Sequence, residues 1–206
     1  MMMKKTKKVL YCFEAALVLS LVLAFTVQMI PFSKGCNDLY DNMLRLHVIA
    51  NSDSERDQSL KLAVRDAVLT AGAEIFDGSA DVRTAKEKLT PAFSRLEQAA
   101  EAVLRQNGCT DKVTVSLERT YFDTRTYGDI TVPAGVYEAM CVRIGKAEGH
   151  NWWCVMFPPL CLPAAVKNTD AVFSGNGQAV LGSNPKYDVR FKVVELYQNA
   201  KAHLSK

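Results

Sequence analysis

The chain has 206 residues, of which 49% are hydrophobic and 23% charged, and its formal net charge is +3. This length suits one domain with a short accessory segment, and the composition excludes a disordered protein. Lysines at positions 4, 5, 7, 8 and 34 carry the positive excess, because 20 basic and 21 acidic residues follow from Gly35 onward. A near-neutral domain without a basic tract argues against nucleic acid as a partner.

The first 33 residues have the pattern of an export or membrane signal. Four lysines precede the apolar run Val9–Ile30, whose only charged residue is Glu14. About 20 apolar residues cross the hydrocarbon core as a helix, and flanking lysines stay on the cytoplasmic side. A retained anchor and a cleaved signal peptide both fit. We predict a signal or transmembrane segment over residues 1–33 and an exported domain over residues 34–206.

A polar linker is predicted over Ser33–Asp41, before the first strand of the domain. In Met43–Ala50, apolar residues alternate with Arg45 and His47. This period of two predicts a half-buried strand with Arg45 and His47 on its polar face.

A helix should follow this strand, because the sequence offers two capping boxes. Ser52 pairs with Glu55 in one, and Ser54 pairs with Asp57 in the other. An apolar stripe at helical spacing follows. The helix is predicted to stop at Gly72 or to continue its packing through Ile75 and Phe76.

A second helix is predicted from about Val82 to Gln106. Its apolar residues recur at spacings of three and four. Because Pro91 lies inside this segment, we expect a kink or a break near Leu89.

Three predicted strands follow, and the first alternates apolar and polar residues. They are predicted from Val113 toward Phe122, over Val136–Ile144 and over Asn151–Phe157, with a polar loop at Asp123–Asp129. The second is apolar on both faces and therefore central, and the third should form a hairpin with it. Pro158 and the proline after it should end the third strand.

The remaining chain predicts a loop and a helix. Ala164–Pro185 is rich in Gly, Asn and Ser, and an amphipathic helix begins near Asp188. The apolar face of that helix consists of Val193, Leu196, Tyr197, Ala200 and Leu204. Together the elements predict an α+β fold: a mainly antiparallel sheet of about four strands with packed helices, preceded by one apolar N-terminal helix.

The cysteines allow either a disulfide or a thiol site. Cys154 and Cys161 flank the Pro-Pro turn, so a structural bridge and reduced core cysteines are both open. A cysteine hydrolase would need a nearby base. On a strand, His150 lies about 13 Å from Cys154 at about 3.3 Å per residue, so the two cannot pair unless the strand starts after His150. His47 is the other candidate base, if the fold brings it close.

A metal site is not predicted. His47, Asp53 and Asp57 form the only local cluster of metal-ligating residues in the sequence. Asp53 and Asp57 have a simpler role, because negatively charged side chains stabilise the N-terminus of a helix. The sequence has no phosphate-binding glycine loop, no G-x-S-x-G and no H-E-x-x-H, so no cofactor or small-molecule substrate is indicated.

Two stretches carry a family resemblance. They are LRLHVIANSDSERDQSLKLAVRDAVL, Leu44–Leu69, and YGDITVPAGVYEAMCVRIGKAEGHNWWCVMFPPLC, Tyr127–Cys161. Together with the lysine-led apolar segment, they closely resemble stage II sporulation protein R of endospore-forming bacteria. The resemblance covers roughly residues 9–161, and little of it lies beyond Cys161.

The resemblance implies a signalling protein. Family members are made in the forespore and exported toward the space between the two sporulation membranes. There they are needed to activate a membrane-embedded aspartic protease of the mother cell, which removes the pro-sequence of pro-sigma-E. The member of the family is not itself the protease.

This function requires a surface that binds a protein partner, and we place it in the two quoted stretches. His47, Asn51 and Asp53 are expected to converge at the strand–helix junction. The adjacent Trp152 and Trp153 should face opposite sides of the sheet. The full set of candidate residues is His47, Asn51, Ser52, Asp53, Asp57, Gln58, Lys61, Arg65, Asp66, Asn151, Trp152, Trp153 and Cys154.

An alternative is an exported hydrolase acting on cell-wall peptide or protein. Its site would be the same junction, with Cys154 as the nucleophile and His47 as the base. A structural envelope protein is a third hypothesis, and it predicts no effect on sigma-factor processing.

Overall fold

A computed structural model describes residues 2–77, 79, 81–158, 173, 175–182 and 188–204. The helices in these residues are α1 (Met2–Asn42), α2 (Glu55–Phe76), α3 (Val82–Leu89), α4 (Phe93–Gln106), α5 (Gly175–Leu181) and α6 (Val189–Leu204). The strands are β1 (Leu44–Ile49), β2 (Val113–Phe122), β3 (Arg125–Tyr127), β4 (Ile130–Val132), β5 (Gly135–Ile144) and β6 (Asn151–Phe157).

The main sheet has the strand order β2-β5-β1-β6. β1 runs parallel to β5, while β2–β5 and β1–β6 are antiparallel, which confirms the predicted α+β fold with a mainly antiparallel sheet. β6 ends at Phe157, immediately before Pro158, as predicted.

The predicted hairpin of β5 and β6 is wrong, because β1 lies between them. The connection from β5 to β6 crosses the end of β1 and is tied to it by backbone hydrogen bonds. Gly149 N donates to the carbonyl of Ala50 at 2.9 Å, and Glu148 N donates to that of Asn51 at 3.2 Å. A short turn therefore spans one intervening strand, which the period-two pattern alone could not reveal.

Both faces of the sheet are covered. Leu46 and Val48 of β1 belong to the core beneath α2, α3 and α4. The opposite face contributes Ala139 and Val155 to a second core, formed with the end of α1, with α5 and with α6. The prediction that β1 is only half buried is therefore wrong, since its polar face also lies under protein.

The predicted linker at Ser33–Asp41 is also wrong, because α1 continues through it to Asn42. The reason is visible in the spacing of Phe32, Cys36 and Leu39, which places them on one stripe of the helix, and Met43 follows directly after its last residue. All four are buried in the second core. The last turns of α1 are thus part of the domain, while Leu10–Ile30 exposes its apolar side chains.

The structure shows where α2 begins and ends and whether the predicted second helix is broken. α2 is capped by Ser54, whose hydroxyl accepts a hydrogen bond from Asp57 N at 3.2 Å, so the second of the two capping boxes is used. The helix runs past Gly72 to Phe76. The break near Leu89 is confirmed, because α3 ends there and a 3-10 turn that contains Pro91 leads into α4.

Two predicted loops contain regular structure. Arg125–Tyr127, inside the predicted polar loop at Asp123–Asp129, pairs with β4 as a small two-stranded sheet. Gly175–Leu181, inside the predicted loop at Ala164–Pro185, is helical. Most of the rest of that second range lies outside the described residues.

Candidate functional site

The two stretches that the sequence singled out lie side by side in the fold. β1 belongs to the first, and its neighbours β5 and β6 belong to the second. In the sheet register, His47 stands opposite Cys141 on one side and Trp153 on the other. The candidate site is therefore one continuous region around the end of β1.

The turn from β1 into α2 is organised by the carboxylate of Asp57. Its Oδ2 accepts hydrogen bonds from Ser52 Oγ at 2.6 Å and from Asn51 Nδ2 at 2.9 Å. These two hydrogen bonds, chiefly the one from Ser52, lower the pKa of Asp57 below its usual range. Asn51 Oδ1 also accepts from the backbone N of Lys146, which ties the turn after β5 to the same point.

Polar side chains from α2 and from the turn before it hold the residue that precedes β6. Asp53 Oδ1 accepts from the backbone N of His150 at 2.6 Å and lies 2.5 Å from its Nδ1. Lys61 Nζ donates to the His150 carbonyl at 3.0 Å and to Gln58 Oε1 at 2.5 Å. Gln58 in turn donates to the Ser52 carbonyl. Many of the polar side chains in Leu44–Leu69 therefore bind α2, and the turn before it, to the β5–β6 connection.

His47 belongs to the other face of the sheet. Its ring stacks on Trp153 with centroids 3.7 Å apart, and Nε2 lies 2.8 Å from Asn151 Oδ1. Burial lowers the pKa of His47, which favours the neutral imidazole. No hydrogen bond joins it to Asn51 or Asp53 in the described part of the chain, so the expected convergence holds for those two residues and not for His47.

Cys141 is a neighbour of His47 that the sequence did not single out. Its Sγ lies 3.8 Å from His47 Nδ1, so Cys141, His47 and Asn151 follow the order thiol, imidazole, amide. Cys141 is only 1% exposed, and burial raises the pKa of its thiol. A buried neutral thiol is a poor nucleophile. Cys141, His47 and Asn151 are therefore better explained as polar residues of the core that satisfy each other's hydrogen bonds than as a catalytic site.

Cys154, the nucleophile of the hydrolase alternative, is buried and takes part in a disulfide. A cysteine in a disulfide supplies no thiolate for attack on a substrate. Its predicted partner, Cys161, lies outside the described residues, and their pairing stays a prediction. Cys12, Cys36, Cys109 and Cys141 are free. The hydrolase hypothesis therefore lacks an accessible, activated thiol among the described residues.

The two tryptophans point to opposite sides of the sheet, as predicted. Trp152 packs against the core under α2, and Trp153 packs against the second core. The guanidinium of Arg65 lies 4.3 Å from the Trp152 ring centre and also pairs with Asp66 at 2.8 Å. Both indoles are partly covered by protein, so neither is a free aromatic anchor.

A further ionic group lies beside Cys141. Arg143 forms two hydrogen bonds with the carboxylate of Glu118, at 2.7 and 2.8 Å, and Ser116 donates to the same carboxylate. Mainly through Arg143, the pKa of Glu118 falls to about 2. Sequence reasoning missed this pair because it depends on the register of β2 against β5.

The exposed part of the site is a small polar surface, which we call the junction surface. It combines the start of β6 with the adjoining face of α2. The side chain of His150 is 76% exposed, and that of Asp66 is 64% exposed. The junction surface consists of Asp53, Arg65, Asp66, His150 and Asn151.

Replacing Asp57 with Asn should lower the free energy of unfolding by about 1 kcal/mol at pH 7, because the amide loses charge-assisted acceptance from Asn51 and Ser52. The pKa of Asp57 is depressed in the folded state. Its contribution is therefore complete above the unfolded pKa of about 3.9 and is lost as the pH falls through the lower folded value.

Urea unfolding of the full chain in detergent, measured at pH 7 and below pH 4, tests this expectation. The difference between wild type and Asp57→Asn should shrink at the lower pH. Glu55→Gln controls for the helix dipole, since Glu55 lies in the same first turn. A difference that is unchanged by pH would show that the carboxylate charge does not organise the turn.

Comparisons with known proteins agree with the sequence blocks. A family model described as Stage II sporulation protein R (spore_II_R) matches residues 40–167. The chain is also similar to "Stage II sporulation protein R" of Bacillus subtilis (strain 168), with 33% identity over 162 residues, which cover 77% of this chain and 71% of that protein. No solved structure gives a significant match. The chain therefore belongs to the stage II sporulation protein R family.

Proposed function

We propose that this chain is an exported sporulation signal that activates a membrane-embedded aspartic protease, which then processes pro-sigma-E. Membership of the stage II sporulation protein R family carries the proposal and supports a role in sporulation. The signal passes from forespore to mother cell, and the domain acts in the space between the two membranes.

The path of α1 supports this location. By length and composition, α1 is able to cross a membrane. The same helix continues into the second core through Phe32, Cys36 and Leu39. A membrane-crossing helix that enters the core without a linker would hold the domain at the bilayer surface, within reach of a partner embedded in the same or the facing membrane.

Activation would proceed by binding. A ligand shifts a protease toward its active state only if it binds that state more tightly than the inactive one. The junction surface suits such a contact, because Asp53, Asp66 and His150 are exposed and the side chains beneath them are fixed by hydrogen bonds. The rigid turn would present these groups with little loss of conformational entropy on binding.

The test is co-expression of this chain with the protease and pro-sigma-E in a host that does not sporulate. Cleavage of pro-sigma-E, followed by immunoblotting, should require this chain. Cleavage of equal extent without it would end the proposal.

A pair of matched variants locates the contact. His150→Ala combined with Asp66→Ala should reduce cleavage about tenfold, the effect of about 1.4 kcal/mol of lost binding. Arg95→Ala combined with Glu74→Ala removes a similarly exposed ion pair between α4 and α2 and should leave cleavage unchanged. Equal activity of both variants would place the contact elsewhere on the domain.

A further inference from the structure

α6 has two apolar faces, of which only one belongs to the core. Phe191 and Val194 are buried in the second core. The stripe that the sequence predicted as the apolar face is instead exposed: Leu196 is 60% and Tyr197 is 63% exposed. The other large apolar residues of this exposed face are Val189, Val193 and Leu204. A continuous apolar stripe along a surface helix normally marks a contact with a membrane or another protein.

The position of α6 shows what this stripe faces. Phe191 contacts Phe32 of α1 edge-on, with ring centroids 5.1 Å apart, and the guanidinium of Arg190 lies 4.6 Å from the Phe32 ring centre. An open apolar groove of about 510 Å³ separates the two helices. It is lined by Met29, Ile30, Ser33, Lys34, Val193, Val194 and Tyr197.

These α1 residues mark the end of the membrane-crossing run. Val9–Ile30 contains 22 residues, which span about 33 Å as a helix and match the hydrocarbon thickness of about 30 Å. Ile30 and Lys34 then fall at the membrane interface. Because α6 packs against α1 at this level, its exposed stripe is continuous with the lipid-facing surface of α1.

We propose that α6 is an interfacial helix, whose Val193, Leu196 and Tyr197 insert into the leaflet at the C-terminal end of the α1 span. Tyrosine suits the interface because its ring is apolar and its hydroxyl reaches water. Lys34 of the groove and Lys192 of the adjoining turn of α6 are exposed and attract anionic phospholipid headgroups.

Phospholipid is the occupant that this geometry favours over a second protein. The stripe and the groove open directly onto the exposed apolar side chains of α1, which need lipid around them. With α1 crossing the bilayer and residues 193–197 of α6 at the end of that span, two helices would fix the orientation of the domain. This inference stands apart from the protease proposal, because it concerns lipid contact alone.

The test measures the environment of one labelled residue in the full chain. The chain is reconstituted in phosphatidylcholine–phosphatidylglycerol vesicles, with serine in place of Cys12 and Cys109, which are free and not buried. Leu196→Cys carries an environment-sensitive NBD fluorophore. Leu62→Cys is the matched control, because Leu62 is a partly exposed leucine of α2, on the opposite layer of the domain.

The label at position 196 should emit at shorter wavelength than the control. Lipids with a doxyl group on the shallow acyl chain should quench it several-fold more strongly, and aqueous iodide should quench it less. Tyr197→Cys repeats the measurement at a second position in case Leu196→Cys does not fold. Iodide quenching equal to that of the control would overturn the proposal. So would shielding that varies with the protein-to-lipid ratio, which would indicate contact with a second copy.

Discussion

Replacing Arg45 with Ala is expected to reduce the free energy of unfolding by about 3 kcal/mol or more. Arg45 is completely buried on the second-core face of β1. Its Nε donates to the Cys154 carbonyl at 2.8 Å, and its Nη2 donates to Tyr127 Oη at 2.9 Å. Alanine would leave both acceptors without this donor and open a cavity at the centre of the sheet.

Aromatic rings take the place of a counter-ion around this guanidinium. Its central carbon lies 4.2 Å from the ring centre of Phe122, 5.0 Å from that of Tyr137 and 5.8 Å from that of Tyr127. No carboxylate pairs with it in the described part of the chain, and Nη1 has no hydrogen-bond partner there. Burial lowers the pKa of Arg45, but a guanidinium keeps its proton, so the fold contains a buried charge held by ring faces.

Arg45→Met separates packing from charge. Methionine fills much of the same volume between the rings and removes the cost of the buried charge, so we expect stability within about 1.5 kcal/mol of wild type. Both variants are compared by urea unfolding of the full chain in detergent, followed through tryptophan fluorescence. If Arg45→Met were as unstable as Arg45→Ala, the two hydrogen bonds would outweigh the packing.

Arg45 also shows where sequence reasoning fails. The alternation of Leu44, Leu46 and Val48 correctly predicted the strand, but it assigned Arg45 and His47 to a polar face open to water. The residues that cover that face come from distant parts of the chain, such as Phe122, Tyr137 and Trp153. Period and composition report local preferences, whereas burial of a charged residue depends on what the topology brings over it.

Local signals were the reliable ones. The cap at Ser54 and the break before Pro91 rest on backbone chemistry within a few residues, and both are present. The opposite facing of Trp152 and Trp153 follows from the pleat of a strand alone. In contrast, the order of β5, β1 and β6 depends on long-range pairing, so adjacent strands in sequence were wrongly predicted to be partners.

The turn from β1 into α2 shows what the sequence predicts and what only the structure reveals. The sequence places Asn51, Asp53 and Asp57 in a dense polar block of candidate partner-binding residues. The structure shows what they do: their side chains bind the backbone or side chains of the turn and of the β5–β6 connection. A dense polar block can therefore serve the fold first, and only its exposed edge is available to a partner.

Gly149→Ala should disrupt this junction and lower the free energy of unfolding by about 2 to 3 kcal/mol. A Cβ at this position would lie 2.5 Å from the carbonyl carbon of Ser52 and 2.9 Å from Cβ of Ala50, with the Ser52 carbonyl oxygen closer still. Backbone atoms cannot rotate away as a flexible side chain can, so the turn itself must move. That movement would break the hydrogen bond from Gly149 N to the Ala50 carbonyl.

Gly175→Ala is the matched control, because a Cβ there meets no atom of the described residues within 4 Å. Its stability should equal that of wild type or exceed it slightly, since alanine favours helix more than glycine does. Unfolding in urea gives the stability, and amide hydrogen exchange over residues 145–151 shows whether the turn has loosened. If Gly149→Ala exchanged like Gly175→Ala, the close approach to Ser52 would not hold the turn. If Gly149→Ala instead showed faster amide exchange over residues 145–151 and also lost pro-sigma-E cleavage, the close packing of Gly149 would be required for the shape of the junction surface.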